Sequence, residues 1–252
     1  GNVLLTKLGI KDRLNSNTLG SKSVAFGEHD EASGGHAFAF GGANALNGCK
    51  ALGTGSFAMG SNAQSSTNYS IAFGQDVTTQ NGYNSIAMGM NSFASGVDTS
   101  GNTNLKNYGA VAIGYDCSAT GMNAFASGHA CDASGNFSIS MGSGKVIVPP
   151  SSSNTTTMSK QKAYGNYSVA IGSGNEAHNI YAVAIGTGNV VQSNEAIALG
   201  NDVNTISTFV NNFLLNEILK LSPFTSILLS FSKTFIMPVS YTHLTLPTNR
   251  EV

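Results

Sequence analysis

A five-residue box recurs eleven times along the chain: a small residue, an apolar one, Ala, a second apolar one and Gly, with Ser127 in one apolar slot and Ser140 in one middle slot as the exceptions. It reads SVAFG ending at Gly27, AFAFG at Gly41, SFAMG at Gly60, SIAFG at Gly74 and SIAMG at Gly89, then AVAIG at Gly114 and AFASG at Gly128. SISMG at Gly142, SVAIG at Gly172, AVAIG at Gly186 and AIALG at Gly200 complete the set. The intervals between these glycines are 14, 19, 14, 15, 25, 14, 14, 30, 14 and 14 residues, so 14 is the period and the longer gaps carry insertions. Between boxes a half-repeat closes on small residues and Gly, as in EASG to Gly34, ALNG to Gly48, FASG to Gly96, SATG to Gly121 and DASG to Gly135. A unit too short to bury a core alone, repeated in tandem, is the signature of a solenoid whose coils stack on one another.

Inside each box the alternation has period two, a strand pattern and not a helical one. Val24 and Phe26 point one way and Ser23 and Ala25 the other; Phe38 and Phe40 oppose Ala37 and Ala39 in the next coil. The same positions recur as Ile71, Phe73 and Gly74; Ile86, Met88 and Gly89; Val111, Ile113 and Gly114; Val169, Ile171 and Gly172; and Val183, Ile185 and Gly186. Gly closes each segment where the turn needs a positive φ or close backbone approach. Two seven-residue segments per coil enclose a thin cross-section, and stacking at about 4.8 Å per coil gives a rod on the order of 50 Å. One face of each strand can pack inside the coil. The other, lined by Ala and Ser, is flat enough to pack against a like face, and so slender a column is expected to gain burial by self-association.

Boxes such as NYSIAFG (Asn68–Gly74), YNSIAMG (Tyr83–Gly89) and NYSVAIG (Asn166–Gly172) resemble the head repeats of trimeric autotransporter adhesins of the YadA-like type, over roughly residues 20–205. The resemblance implies an all-β fold, a left-handed parallel β-roll of 14-residue two-strand coils, with three copies side by side. It also implies display outside the cell on a protein anchored in the outer membrane, and attachment to a host or other cell-surface ligand. Similar repeats occur in bacteriophage tail fibres and spikes, so the alternative is a virion rod or receptor binder.

Around the roll of residues 20–205 the sequence sets residues 1–19 as an N-terminal cap or linker, LLTKLGIKDRL being suited to cover a solenoid end. Insertions fall at 97–107, polar and rich in Gly and Asn, and at 143–166, where a strand candidate Lys145–Val148 precedes two prolines and a Ser/Thr tract. The second reads as a protruding loop or hairpin with a flexible tip, which makes Lys145, Lys160 and Lys162 the candidate binding-loop contacts. Residues 206–252 lack the repeat and all glycine. A short amphipathic helix fits Phe213–Leu221, and VSYTHLTLPT (Val239–Thr248) resembles a translated sequencing adapter, so this tail reads as non-native and is assigned no function.

The remaining chemistry points away from catalysis. Charged residues make up 10% and the net charge is -1, which gives no reason to expect a nucleic-acid partner or a membrane surface. GSGK at Gly142–Lys145 fails as a phosphate loop, because Ile139 and Val146 stand where Gly and Ser or Thr are needed. His29, His36, His129 and His178 read as turn residues without metal-ligand spacing. Asp76, Asp116 and Asp202 share a slot two residues past a box Gly and read as turn-favoured aspartates. Cys117 and Cys131 lie three residues past successive box glycines, hence stacked about 5 Å apart at Cα, within disulfide range, but are read as small buried thiols. Sequons such as Asn68-Tyr69-Ser70 follow from the box itself. No enzyme activity, metal or cofactor is expected.

Overall fold

The computed structural model describes residues 19–27, 29–41, 48–97, 108–147 and 157–205. The expected N-terminal cap up to residue 18, most of the 97–107 loop, the tip of the second insertion and the 206–252 tail with its helix lie outside the described residues. No helix occurs among the described residues, and the strands form a β-solenoid of about eleven turns.

All eleven boxes become strands of one parallel sheet: Val24–Phe26, Phe38–Gly41, Phe57–Ser61, Ile71–Gln75, Ile86–Met90, Val111–Tyr115, Phe125–His129, Ile139–Ser143, Val169–Ser173, Val183–Thr187 and Ile197–Asn201. Each pairs with the next box in the chain, box Gly opposite box Gly. The long intervals do not disturb this register. Gly41 faces Gly60, Gly89 faces Gly114 and Gly142 faces Gly172, so the inserted residues loop out and the coil resumes where it left off. The half-repeats form a second parallel sheet of ten short strands, from Lys50–Ala51 to Asn204–Thr205. Within the 143–166 insertion, Lys145–Ile147 and Thr157–Ser159 pair antiparallel as a hairpin.

Which face is inside differs from expectation. Ala39, Ala58, Ala72, Ala87, Ala112 and Ala126 are fully buried between the sheets, facing Ala51, Ala119, Ala133, Ala163 and Ala177 of the second sheet. The large side chains of the boxes point outward, and Phe40, Ile71, Phe73, Ile113, Met141, Ile171, Ile185 and Ile197 remain 37–42% exposed. Two seven-residue segments bring the sheets closer together than the roughly 10 Å of ordinary stacked sheets. Ala and Ser fill the inner box slots, and nothing larger than Val191, Thr79 or Thr205 stands in register with the alanines of the second sheet. The flat small-residue face is therefore the core, and the bulky face is the one in need of cover.

A core of methyl groups contributes little per residue, about 0.8 kcal/mol for each buried carbon, so polar ladders hold the coils in register. Where the slot three residues past a box Gly holds Asn or Ser, it points into a corner and donates to the next box Gly carbonyl. Asn175 Nδ2 reaches Gly186 O at 2.8 Å, Asn189 Nδ2 reaches Gly200 O at 2.9 Å and Ser92 Oγ reaches Gly114 O at 2.9 Å. Thiols take the same role: Cys49, Cys117 and Cys131 reach Gly60, Gly128 and Gly142 carbonyls at 3.3, 3.2 and 3.4 Å. The amide oxygens complete the ladder by accepting backbone N–H groups, Asn189 on Asn175 at 3.0 Å and Val203 on Asn189 at 2.9 Å. Asn175→Ala removes the donations to Ile171, Gly186 and Gln161 and one acceptance at a fully buried site. The expected loss is about 3 kcal/mol, from carbonyls and an N–H left unpaired. Urea denaturation followed by circular dichroism measures it, and a loss below the error of the method would remove the ladder's role.

Candidate functional site

The outward box face is the largest feature that positions side chains for contact. Strand pairing places Val24 beside Phe38, Phe26 beside Phe40, Ile71 beside Ile86, Phe73 beside Met88, Val111 beside Ile86, Ile113 beside Met88, Val169 beside Val183 and Ile171 beside Ile185. Two apolar columns result, the second interrupted only at Ser127. At the N-terminal end the rings stack, Phe26 on Phe40 at 5.2 Å and Phe38 on Phe57 at 5.2 Å, nearly parallel. Beside the columns, Tyr115 packs edge-on to His129 at 4.9 Å. His129 closes the strand Phe125–His129 and does not sit in a turn; His29 and His36 do occupy turn conformations, with φ of 62° and 58°. The sequence marked all these apolar positions but did not say that they faced out.

The three candidate lysines are each held by the roll, Lys145 from the hairpin, Lys160 just past it and Lys162 on the strand Gln161–Ala163 of the second sheet. Lys145 Nζ lies 3.2 Å from Asp202, Lys160 Nζ 3.4 Å from Asp116 and Lys162 Nζ 3.0 Å from Glu176. The Lys145 stem runs over Gly174, where any Cβ would collide with it, and its ammonium reaches Gly188 beside Asp202. Two of the slot-sharing aspartates thus pin the base of the hairpin from opposite ends, while Asp76 accepts from Asn62 Nδ2 at 2.9 Å. All three aspartates hold the left-handed conformation expected of a turn, φ 52–54°.

Lys162 and Glu176 belong to a small polar cluster on the outer face of the second sheet. His178 Nε2 approaches Glu176 at 2.8 Å, Tyr164 lies 5.4 Å from the His178 ring, and the Lys162 ammonium sits 5.7 Å from the Tyr164 ring centre. Burial pulls Glu176 upward, but the Lys162 and His178 partners outweigh it and hold the carboxylate below its ordinary range. Burial likewise pulls Lys162 down, and Glu176 outweighs it, leaving the ammonium above its ordinary value. A depressed carboxylate stabilises the fold above its unfolded pKa, and that contribution is lost as pH falls through the folded value. Glu176→Gln is expected to cost about 0.5 kcal/mol at pH 7, given partial exposure of the pair, and less at pH 3. Thermal melts at the two pH values check this; equal losses at both would show that the charge is immaterial.

Two features escaped the sequence reading. One is the corner ladder, although Asn175 and Asn189 stand 14 residues apart in the slot that drew attention to Cys117 and Cys131. Both those cysteines are free and buried. A hydrogen bond from Cys131 holds the Cys117 thiol down, to about 7, and the same bond with burial pushes Cys131 up. The other is a stack of exposed rings on the turn that enters the boxes, Phe137 on Tyr167 at 5.0 Å and Tyr167 on Tyr181 at 5.1 Å. The sequons of the boxes at Asn68, Asn136 and Asn166 are closed by the fold, since Ser70, Ser138 and Ser168 are buried.

The YadA head domain repeat family matches the chain over residues 51–76, 81–99, 106–130, 162–175 and 177–202. No curated protein matches it. Eight of the eleven boxes fall within the matched segments; those ending at Gly41 and Gly142 pair in register with matched boxes in the same sheet, and the one ending at Gly27 pairs with the box of Gly41. Over the matched segments between residues 51 and 202 the chain is therefore built of YadA head domain repeats, the β-roll that forms the heads of trimeric autotransporter adhesins.

Proposed function

We propose that this protein is the head of a surface-displayed trimeric adhesin, a non-catalytic rod in which three copies shelter one another's box faces and the remaining surface meets a host or other cell-surface ligand. The observation that carries the reading is the outward apolar face. Val, Ile, Leu, Phe and Met fill every outward box slot except Ser127, on a sheet whose inner side is Ala and Ser. Covering one such side chain is worth about 1.5–3 kcal/mol, against less than one for an interior methyl. Most of the hydrophobic free energy available to this sequence thus lies in association, and the matched family supplies three as the number. Repeated coils would also present repeated contacts, so weak individual binding sums along the rod.

Sedimentation velocity of the full chain is expected to give three times the chain mass, and a monomer across the micromolar range would sink the trimer. Beads coated with the protein are expected to adhere to host cells or matrix. Adhesion to bacterial envelopes alone would move the protein to the phage tail-fibre reading, which shares the trimer and differs in the target.

A further inference from the structure

Two departures from the regular face fall on a single strand. From Ile71 to Ile197 every first outward slot is Val or Ile except Phe125, and the one polar residue among the second outward slots is Ser127. Both lie on Phe125–His129, two residues apart and on the same face. Phe125 sits between Val111 and Ile139, and Ser127 between Ile113 and Met141. The strand therefore carries an enlarged knob beside a missing one.

A repeating face leaves axial position undetermined. Sliding one copy along another by a single coil, about 4.8 Å, lays box on box again with nearly the same side chains in contact, as for any strand whose pattern repeats under a shift. In a cyclic trimer the interface is heterologous, so opposite sides of the face meet. The column of first slots in one copy then faces the column of second slots in the next. Resting on the trimeric reading above, we infer that Phe125 of one copy seats in the notch over Ser127 of its neighbour, a knob-in-hole lock repeated three times that fixes the copies in register and selects copies of this chain over other heads with the regular box. A slip of one coil drives Phe125 against Ile113 or Met141 and leaves the notch empty, combining overpacking with a void.

The lock makes a prediction that intrachain packing does not. The variant carrying both Phe125→Ser and Ser127→Phe exchanges knob and hole, so it fits itself but presents knob to knob when mixed with the natural chain. The two full-length chains, tagged to differ in mass, are to be refolded together in equal amounts and weighed by native mass spectrometry. Each is expected to form its own trimer, with mixed trimers at least about tenfold below the statistical share. Statistical mixing would overturn the lock and leave the trimer standing. Absence of trimers in the natural chain would overturn the trimeric reading itself. A second variant, Ser127→Ile, restores the regular slot; it is expected to keep the circular dichroism spectrum and to weaken trimer association at least about tenfold. Association as tight as in the natural chain would also refute the lock.

Discussion

Replacing Gly114 by Ala is expected to destabilise the roll by about 4 kcal/mol, a large part of what a domain of this size has to lose. Two effects add at this position. The backbone holds φ at 131°, a region that side-chain-bearing residues rarely adopt, and an added Cβ would lie 2.0 Å from the carbonyl oxygen of Gly128 on the next coil. That oxygen belongs to a ladder that repeats above and below, so relief would have to propagate through neighbouring coils. Gly188 provides the comparison. Its φ of 67° is within reach of other residues, and a Cβ there meets only the ends of the Asp202 and Lys145 side chains, which can move. Gly188→Ala is expected to cost about 1 kcal/mol. Denaturant titrations of both full-length variants give the comparison, and equal costs would show that close coil stacking does not dictate the box glycine.

The extent to which this molecule was legible follows from what a repeat encodes. The period, the strand character of the box and the looping-out of insertions are all local in sequence, and the pairings of Gly41 with Gly60 and Gly142 with Gly172 follow once the box is recognised. Alternation reveals that a strand has two unlike faces. It does not say which is inside, because that depends on the distance between two sheets, a quantity set by coil length. The usual rule of large apolar residues inward fails here since the gap admits Ala119 and Ala133 opposite the box alanines but nothing larger than Val77, Val191, Cys117 or the amides in the corners. The contacts of the candidate lysines were illegible for a related reason. Lys145 and Asp202 are 57 residues apart, and only the stacking of intervening coils brings them together.

The neighbours Ala170 and Ile171 separate the inner face from the outer one in a single experiment. Ile171→Lys is expected to abolish the trimer while leaving the isolated chain's stability within about 0.5 kcal/mol, because Ile171 is 37% exposed on one copy. In the assembly three ammonium groups would be taken from water without partners, a cost of several kcal/mol each. Association should therefore weaken by more than a thousandfold, about 4 kcal/mol. Ala170→Leu acts on the opposite side of the same strand, where Ala170 is fully buried and the Gln161 amide donates to its carbonyl at 3.0 Å. Three extra carbons have no space there, so the expected outcome is loss of the fold itself, about 3 kcal/mol or more. Sedimentation at several concentrations reports the first effect and denaturant melts the second. The assignment of faces stands only if the two variants fail in these different ways. An Ile171→Lys chain that sediments as the natural protein does, or an Ala170→Leu chain as stable as its parent, would turn the sheet inside out.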